Sequence, residues 1–143
     1  MIYSSRILAV TRLVLFTVAI LLFLPMVMPS LWLAPQKSKT WREKKLLGFH
    51  SLCLRIFGIS LVVKGEMSPY RPTYFVCNHL SYLDIVVLGG QIPASFISKH
   101  EIAAWPIIGG LAKIQRSVFL ERTRAATPAH KSELQKRLSD GDN

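Results

Sequence analysis

The sequence predicts an α/β fold led by an amino-terminal membrane helix or helical hairpin. Three observations predict it: an uncharged apolar run near the start, a second apolar run carrying a narrow polar stripe, and short β-rich runs alternating with helix-like pieces after Leu61. The 143 residues fit one domain at most, and 50% hydrophobic content excludes a disordered chain, because so apolar a chain has ample surface to bury. Eighteen Lys and Arg against eight Asp and Glu give a formal charge of +10, while the mean hydropathy is +0.32. Positive charge joined to apolar character points to an anionic bilayer surface before nucleic acid, whose binders carry basic residues on a polar face. The two cysteines, Cys53 and Cys77, exclude a disulfide scaffold and are expected to be buried, reduced thiols.

No charged side chain occurs from Leu13 to Gln36, and 17 of the 21 residues from Leu13 to Leu33 are apolar. As a helix, those residues would extend about 31 Å, close to the hydrocarbon thickness of a bilayer. A cleaved signal peptide would have a shorter core ending at a small-x-small site, whereas this run ends in Met28-Pro29-Ser30-Leu31-Trp32-Leu33. Pro25 and Pro29 each remove a backbone donor, so the segment either spans with a kink or turns back to the same face. Arg6 and Arg12 precede it, and Lys37, Lys39, Arg42, Lys44 and Lys45 follow with only Glu43 against them, which predicts a cytoplasmic location for what comes next. From Leu46 to Leu61 a second apolar stretch shows Lys44, Gly48, Ser51, Arg55 and Gly58 at steps of three and four. It reads equally as a core helix or as an interfacial helix beside the first segment.

Beyond it, strands are expected at Leu61–Lys64, Thr73–Cys77, Phe96–Ser98 and Val118–Leu120, with helices at Leu83–Leu88, Trp105–Lys113 and from Thr127-Pro128 to about Leu138. Residues 1–60 thus form a membrane-associated helical segment, and 61–143 an α/β part whose sheet looks unfinished. The expectation is a carboxyl-terminally truncated chain.

The strongest local feature is Tyr74-Phe75-Val76-Cys77-Asn78-His79-Leu80-Ser81-Tyr82-Leu83-Asp84, an apolar strand candidate delivering a polar cluster at its carboxyl end, where sites in α/β sheets collect. On one straight helix His79 and Asp84 would stand about 140° apart, so they can meet only across a bend. A strand-to-helix corner supplies one: His79 in the loop, Ser81 or Asn78 as cap, and Asp84 in the first turn. A carboxylate that accepts from one imidazole nitrogen sets the tautomer and makes the other a better base toward a hydroxyl nucleophile.

The block Asn78-His79-Leu80-Ser81-Tyr82-Leu83-Asp84 resembles the His-x4-Asp block of the glycerolipid acyltransferases, the group that includes 1-acyl-glycerol-3-phosphate acyltransferase. Ser98-Lys99-His100-Glu101 through Trp105-Pro106-Ile107-Ile108-Gly109, and Val118-Phe119-Leu120-Glu121-Arg122, are similar to further blocks of that family in order and spacing. The resemblance covers about residues 60 to 125 and implies the first part of an αβ acyltransferase domain. It implies transfer of an acyl chain from acyl-CoA or acyl-carrier protein to the free hydroxyl of a lysophospholipid, most often lysophosphatidic acid, yielding phosphatidic acid in phospholipid biosynthesis. Another lysolipid such as lyso-ornithine lipid is the alternative acceptor. By the same resemblance His79 is the general base and Asp84 its orienting partner. Arg122 holds the acceptor phosphate, and Lys99 and Asn78 are further substrate-binding candidates. A thioester is already activated, so neither metal nor cofactor is expected, and a base with an oxyanion donor suffices. The family's Pro-Glu-Gly-Thr block is missing before Asn143, which predicts that the isolated chain is inactive or nearly so.

Other readings are weaker. His50, Cys53, Cys77, His79 and His100 are ligand types without zinc-site spacing, and His100 and His130 are expected to be surface residues. Gly89-Gly90 and Gly109-Gly110 lack a phosphate-loop context and read as helix ends, while Trp105-Pro106 either lines an acyl channel or packs in the core. No nucleic-acid partner is expected, because the densest basic cluster abuts the apolar segment. The rival to an enzyme is a small membrane-anchored adaptor whose basic stretch binds anionic lipid.

Overall fold

The computed structural model describes residues 2–33, 39–121 and 127–139. These pack as two units, one comprising residues up to Val62 together with Ser81–Ile92, the other Val63–Leu80 together with the residues from Pro93 onward.

In the first unit, α1 (Ile2–Val27) runs unbroken through Pro25, and a short α2 (Pro29–Leu33) follows after Met28. Pro25 does not interrupt α1. Pro29 stands at the first position of α2, where a missing amide costs least, and Leu31 N–H donates to the Met28 carbonyl at 3.0 Å. The stretch Ser5–Leu33 is long and apolar enough, by length and composition, to cross a membrane. One stripe of α1, made by Phe16, Ile20, Phe23 and Val27, turns inward, while Ile7, Leu13, Val14, Val18, Leu21 and Leu22 stay exposed. So continuous an apolar face is what a bilayer covers.

The inward stripe meets α3 (Lys39–Phe57). Phe23 stacks on Phe49 at 4.2 Å between centroids, and Phe16 tilts against Phe57 at 5.1 Å, so α1 and α3 run antiparallel as a helical hairpin. Arg42, Leu46, Phe49, His50, Cys53 and Leu54 form the buried face of α3 at steps of three and four. The polar stripe lies elsewhere: Lys44, Gly48, Arg55 and Gly58 are exposed and Ser51 is half-buried. α3 therefore packs beside the first segment. Its end is a Schellman turn, in which Ile59 N–H donates to the Leu54 carbonyl at 2.9 Å and Gly58 N–H to that of Arg55 at 3.1 Å. Gly58 has φ +70°, and a β-carbon there would overlap the Arg12 guanidinium, which lies over the carbonyl end of α3 where a cation is favoured. The unit is completed by α4 (Leu83–Gly89), which packs on α3.

The second unit holds a two-stranded parallel sheet, β1 (Ile97–Lys99) and β2 (Val118–Leu120), with Ile97 opposite Val118 and Lys99 opposite Leu120. The strand expected at Phe96–Ser98 thus begins one residue later, although the Phe96 carbonyl still accepts from Val118 N–H at 2.8 Å. Among the described residues the strands expected at Leu61–Lys64 and Thr73–Cys77 do not form. Alternating apolar residues give a segment the capacity to pair, but a strand needs a neighbouring ladder. Val62 and Val76 are 83% and 84% exposed, with no ladder beside them in the sheet described. The α/β reading therefore holds only loosely, as one parallel pair among helices.

The helix expected over Trp105–Lys113 forms as α5 (Ile108–Ile114), three residues late at its start, after a 3₁₀ helix (His100–Ala104) and a break. Trp105-Pro106-Ile107 causes the break. Ile108 N–H donates to the Pro106 carbonyl at 2.7 Å around Ile107 at φ +65° and ψ −60°, a γ-turn that strains a β-branched residue. Gly109 then lies so close to the 3₁₀ helix that a β-carbon would sit 2.6 Å from the Ala103 carbonyl oxygen. Gly109-Gly110 opens its helix, whereas Gly89-Gly90 closes one. Ile114 and Val118 are the buried centre of this unit, and Trp105 is 43% exposed, outside the core. α6 (Thr127–Ser139) follows the expected bounds and contacts β2.

Candidate active site

His79 lies near the end of an extended, exposed segment of the second unit, with Asn78 beside it and also exposed. The chain then turns at Ser81 and Tyr82, and α4 begins in the first unit with Asp84 in its first turn, half-buried. Here Ser-x-x-Asp folds back on itself. Ser81 N–H donates to Asp84 Oδ2 at 2.9 Å, Leu83 N–H donates to Ser81 Oγ at 3.2 Å, and Asp84 N–H donates to the Ser81 carbonyl at 3.1 Å. These bonds tie Ser81, one of the two caps the sequence offered, to the first turn of α4, with its hydroxyl on the N–H two residues on. The Ser81 N–H bond to the carboxylate is charge-assisted and holds Asp84 at the amino end of α4, where the helix dipole favours an anion.

Polar residues also gather at the carboxyl ends of the two parallel strands. Lys99 ends β1, exposed, opposite Leu120 at the end of β2. Beyond it, His100 Nδ1 approaches Glu121 Oε1 at 4.0 Å, with both side chains more than half exposed. Glu121 N–H donates to His130 Nε2 at 3.3 Å, tying α6 to the end of β2. His100 is the surface residue expected, whereas His130 is half-buried and serves as an acceptor. Arg122 lies outside the described residues.

Between Tyr74, the sheet and α6, the same unit has an open apolar pocket of about 140 Å³ lined by Phe96, Ile97, Val118, Leu134 and Leu138. Arg137 at its wall bonds Glu133 Oε1 at 2.9 Å.

Three polar residues of α3 carry more structure than their sequence context suggested. Arg42, counted among the basic flank, is 3% exposed and donates from Nη1 to the Ser30 carbonyl at 3.3 Å. It satisfies a carbonyl of α2 as well as supplying charge. His50 is 5% exposed with no hydrogen-bond partner at Nδ1, and burial pushes its imidazole pKa down, opposed only in part by the Gly89 backbone. Cys53 is fully buried, and burial pushes its thiol up to about 11. Cys77, by contrast, is exposed, contrary to expectation, because the strand that would have buried it does not form. The apolar spacing Leu46, Phe49, Cys53 places His50 on the buried side and could have flagged it.

Compared with known proteins, residues 60–143 match the family model described as Acyltransferase. The chain is 33% identical over 123 residues to the lyso-ornithine lipid O-acyltransferase of Rhizobium meliloti, covering 85% of this chain and 41% of that protein. It is 39% identical over 103 residues to the lyso-ornithine lipid O-acyltransferase of Brucella abortus, covering 71% and 39%. With the 1-acyl-sn-glycerol-3-phosphate acyltransferase of Neisseria gonorrhoeae it shares 32% identity over 83 residues, covering 57% and 32%. The chain therefore spans about two fifths or less of the length of these curated relatives. No solved structure matches significantly.

Proposed function

The chain belongs to the acyltransferase family, and from that premise we propose that it transfers a fatty acyl chain from a thioester, acyl-CoA or acyl-carrier protein, to the free hydroxyl of a membrane lysolipid. The observation that carries the reading is the family match over residues 60–143, which encloses His79 and Asp84. In this reading one nitrogen of the His79 imidazole takes the proton from the acceptor hydroxyl as its oxygen attacks the thioester carbonyl. Asp84 accepts from the other ring nitrogen and holds the tautomer. As the carbon–sulfur bond breaks, the imidazolium returns the proton to the departing thiolate, so base and acid are one group. Backbone amides stabilise the transient oxyanion, and no metal is needed because the thioester is already activated. Arg122 and Lys99 attract the anionic part of the acceptor headgroup, with Asn78 as a further polar contact.

The acceptor we favour is a lyso-ornithine lipid, supported by the names of the Rhizobium and Brucella relatives and by the share of this chain they cover. Lysophosphatidic acid is the second reading, supported by the Neisseria relative. The reaction takes place at the cytoplasmic face, a sidedness supported by the basic residues that follow the apolar segment.

The test supplies radiolabelled acyl-CoA and acyl-carrier protein to membranes carrying the protein expressed from its complete reading frame, with each lysolipid in turn. Faster acylation of lyso-ornithine lipid is expected. Acylation of lysophosphatidic acid alone would transfer the assignment to the second reading, and acylation of neither would end the proposal.

A further inference from the structure

α4 has seven residues, too few to hold a helix or an orientation by itself, so its place is set by what it packs on. That is α3, and the contact is unusually close at two adjacent glycines. A β-carbon on Gly89 would lie 2.3 Å from His50 Nδ1 and 2.4 Å from Cε1; one on Gly90 would lie 3.0 Å from Leu54 Cδ1. The imidazole thus fills the space a side chain at position 89 would need, and Gly89 is itself buried. His50 has little room to yield, being 5% exposed with the Phe49 ring at 5.8 Å. Its buried Nδ1 has no hydrogen-bond partner, a cost that an apolar side chain would not carry. The Gly89 backbone offsets part of that cost, on the same residue whose notch the ring fills.

We propose that His50 is a positioning residue: its ring, lodged in the notch at Gly89, seats α4 on α3 and so fixes where α4 holds the Asp84 carboxylate. Asp84 is five residues before Gly89 on the same short helix, roughly 7.5 Å along its axis, so a shift at the notch is carried to the carboxylate. A group that orients a base tolerates little displacement, since about 1 Å can cost a hundredfold in rate. The α1–α3 hairpin then does more than tether the protein: it is the seat of the acid. This inference rests on the reading of Asp84 as the partner of His79.

The experiment compares wild type, Gly89→Ala, His50→Ala, the double variant His50→Ala/Gly89→Ala, and His79→Ala. Each is expressed from the complete reading frame, with kcat and both KM values measured in membranes. Gly89→Ala is expected to lower kcat about tenfold to a hundredfold with KM changed less than about twofold. Adding His50→Ala vacates the space and is expected to restore kcat to within about threefold of wild type. A merely structural contact would lower the amount of folded protein without splitting kcat from KM. Wild-type kcat in Gly89→Ala, or a double variant no better than Gly89→Ala, would overturn the proposal. Should Gly89→Ala not accumulate, His50→Ala is compared with the double variant, where a gain from the added methyl is expected and equality overturns it. If His79→Ala keeps its activity, the functional reading itself has failed. If His79→Ala is inactive and Gly89→Ala is not, only the positioning role has failed.

Discussion

At the scale of single residues, burial separates groups that look alike in the sequence. Cys53 and Cys77 are both set among apolar neighbours, yet only Cys53 is buried, with its thiol pushed up to about 11. A thiol-directed reagent at pH 8 is expected to label Cys77 and spare Cys53, since the thiolate is the nucleophile. Mass mapping checks this, and equal labelling would contradict the burial described. His50 gives a pH prediction of definite sign. Its folded pKa lies below the ordinary 6.5, so the unfolded chain binds the extra proton in the interval between the two values. Its contribution to stability is therefore full above about pH 7.5 and is lost as the pH falls through 6.5 toward the folded value. In detergent, the wild-type melting temperature is expected to drop more between pH 7.5 and 5.5 than that of His50→Leu. Equal drops would show that the ring is not held neutral.

At the scale of elements, ends and corners decide. α4 forms where Ser81, Leu83 and Asp84 exchange backbone and side-chain bonds, and Ser81→Ala is expected to cost about 1 kcal/mol of stability by removing the cap. α3 ends at Gly58, whose φ of +70° disfavours any side chain. Gly58→Ala is expected to cost about 1–2 kcal/mol from conformation, and more where the methyl displaces Arg12, as read from denaturant midpoints. Helices with a periodic apolar face or a capping signal were legible in the sequence, as α3, α4 and α6 show. The strands were legible only where a partner exists. Val118–Leu120 pairs with Ile97–Lys99, but Thr73–Cys77 has the same residue character and no ladder, because pairing is a property of the neighbour. The break at Trp105-Pro106-Ile107 was signalled by its proline, while the positive φ at Ile107 has no local signal at all. In the site, the place of Asp84 in a first turn was readable from the corner before the helix, with Ser81 one of two caps on offer. The burial of Arg42 was not, since it depends on what α3 packs against, whereas that of His50 was signalled by its place among the apolar positions 46, 49 and 53.

At the scale of the whole molecule, exposed apolar residues along α1 and a basic flank after it describe a chain that works at a bilayer. Leu15 and Leu22 are 50% and 69% exposed on that helix. Replacing both by Arg would add about 2.5–3.5 kcal/mol each at the centre of a spanning helix. Leu15→Arg/Leu22→Arg is therefore expected to move the protein from the carbonate-resistant membrane fraction to the extractable or aggregated one. Unchanged membrane retention would deny α1 its role. The proposed joining of this membrane part to a His79 imidazole that activates the acceptor hydroxyl stands or falls on His79→Ala in the protein from its complete reading frame. In that variant acyl transfer is expected to fall by about a hundredfold or more while membrane association and melting temperature stay as in wild type. Acyl transfer at the wild-type rate in that variant would contradict it.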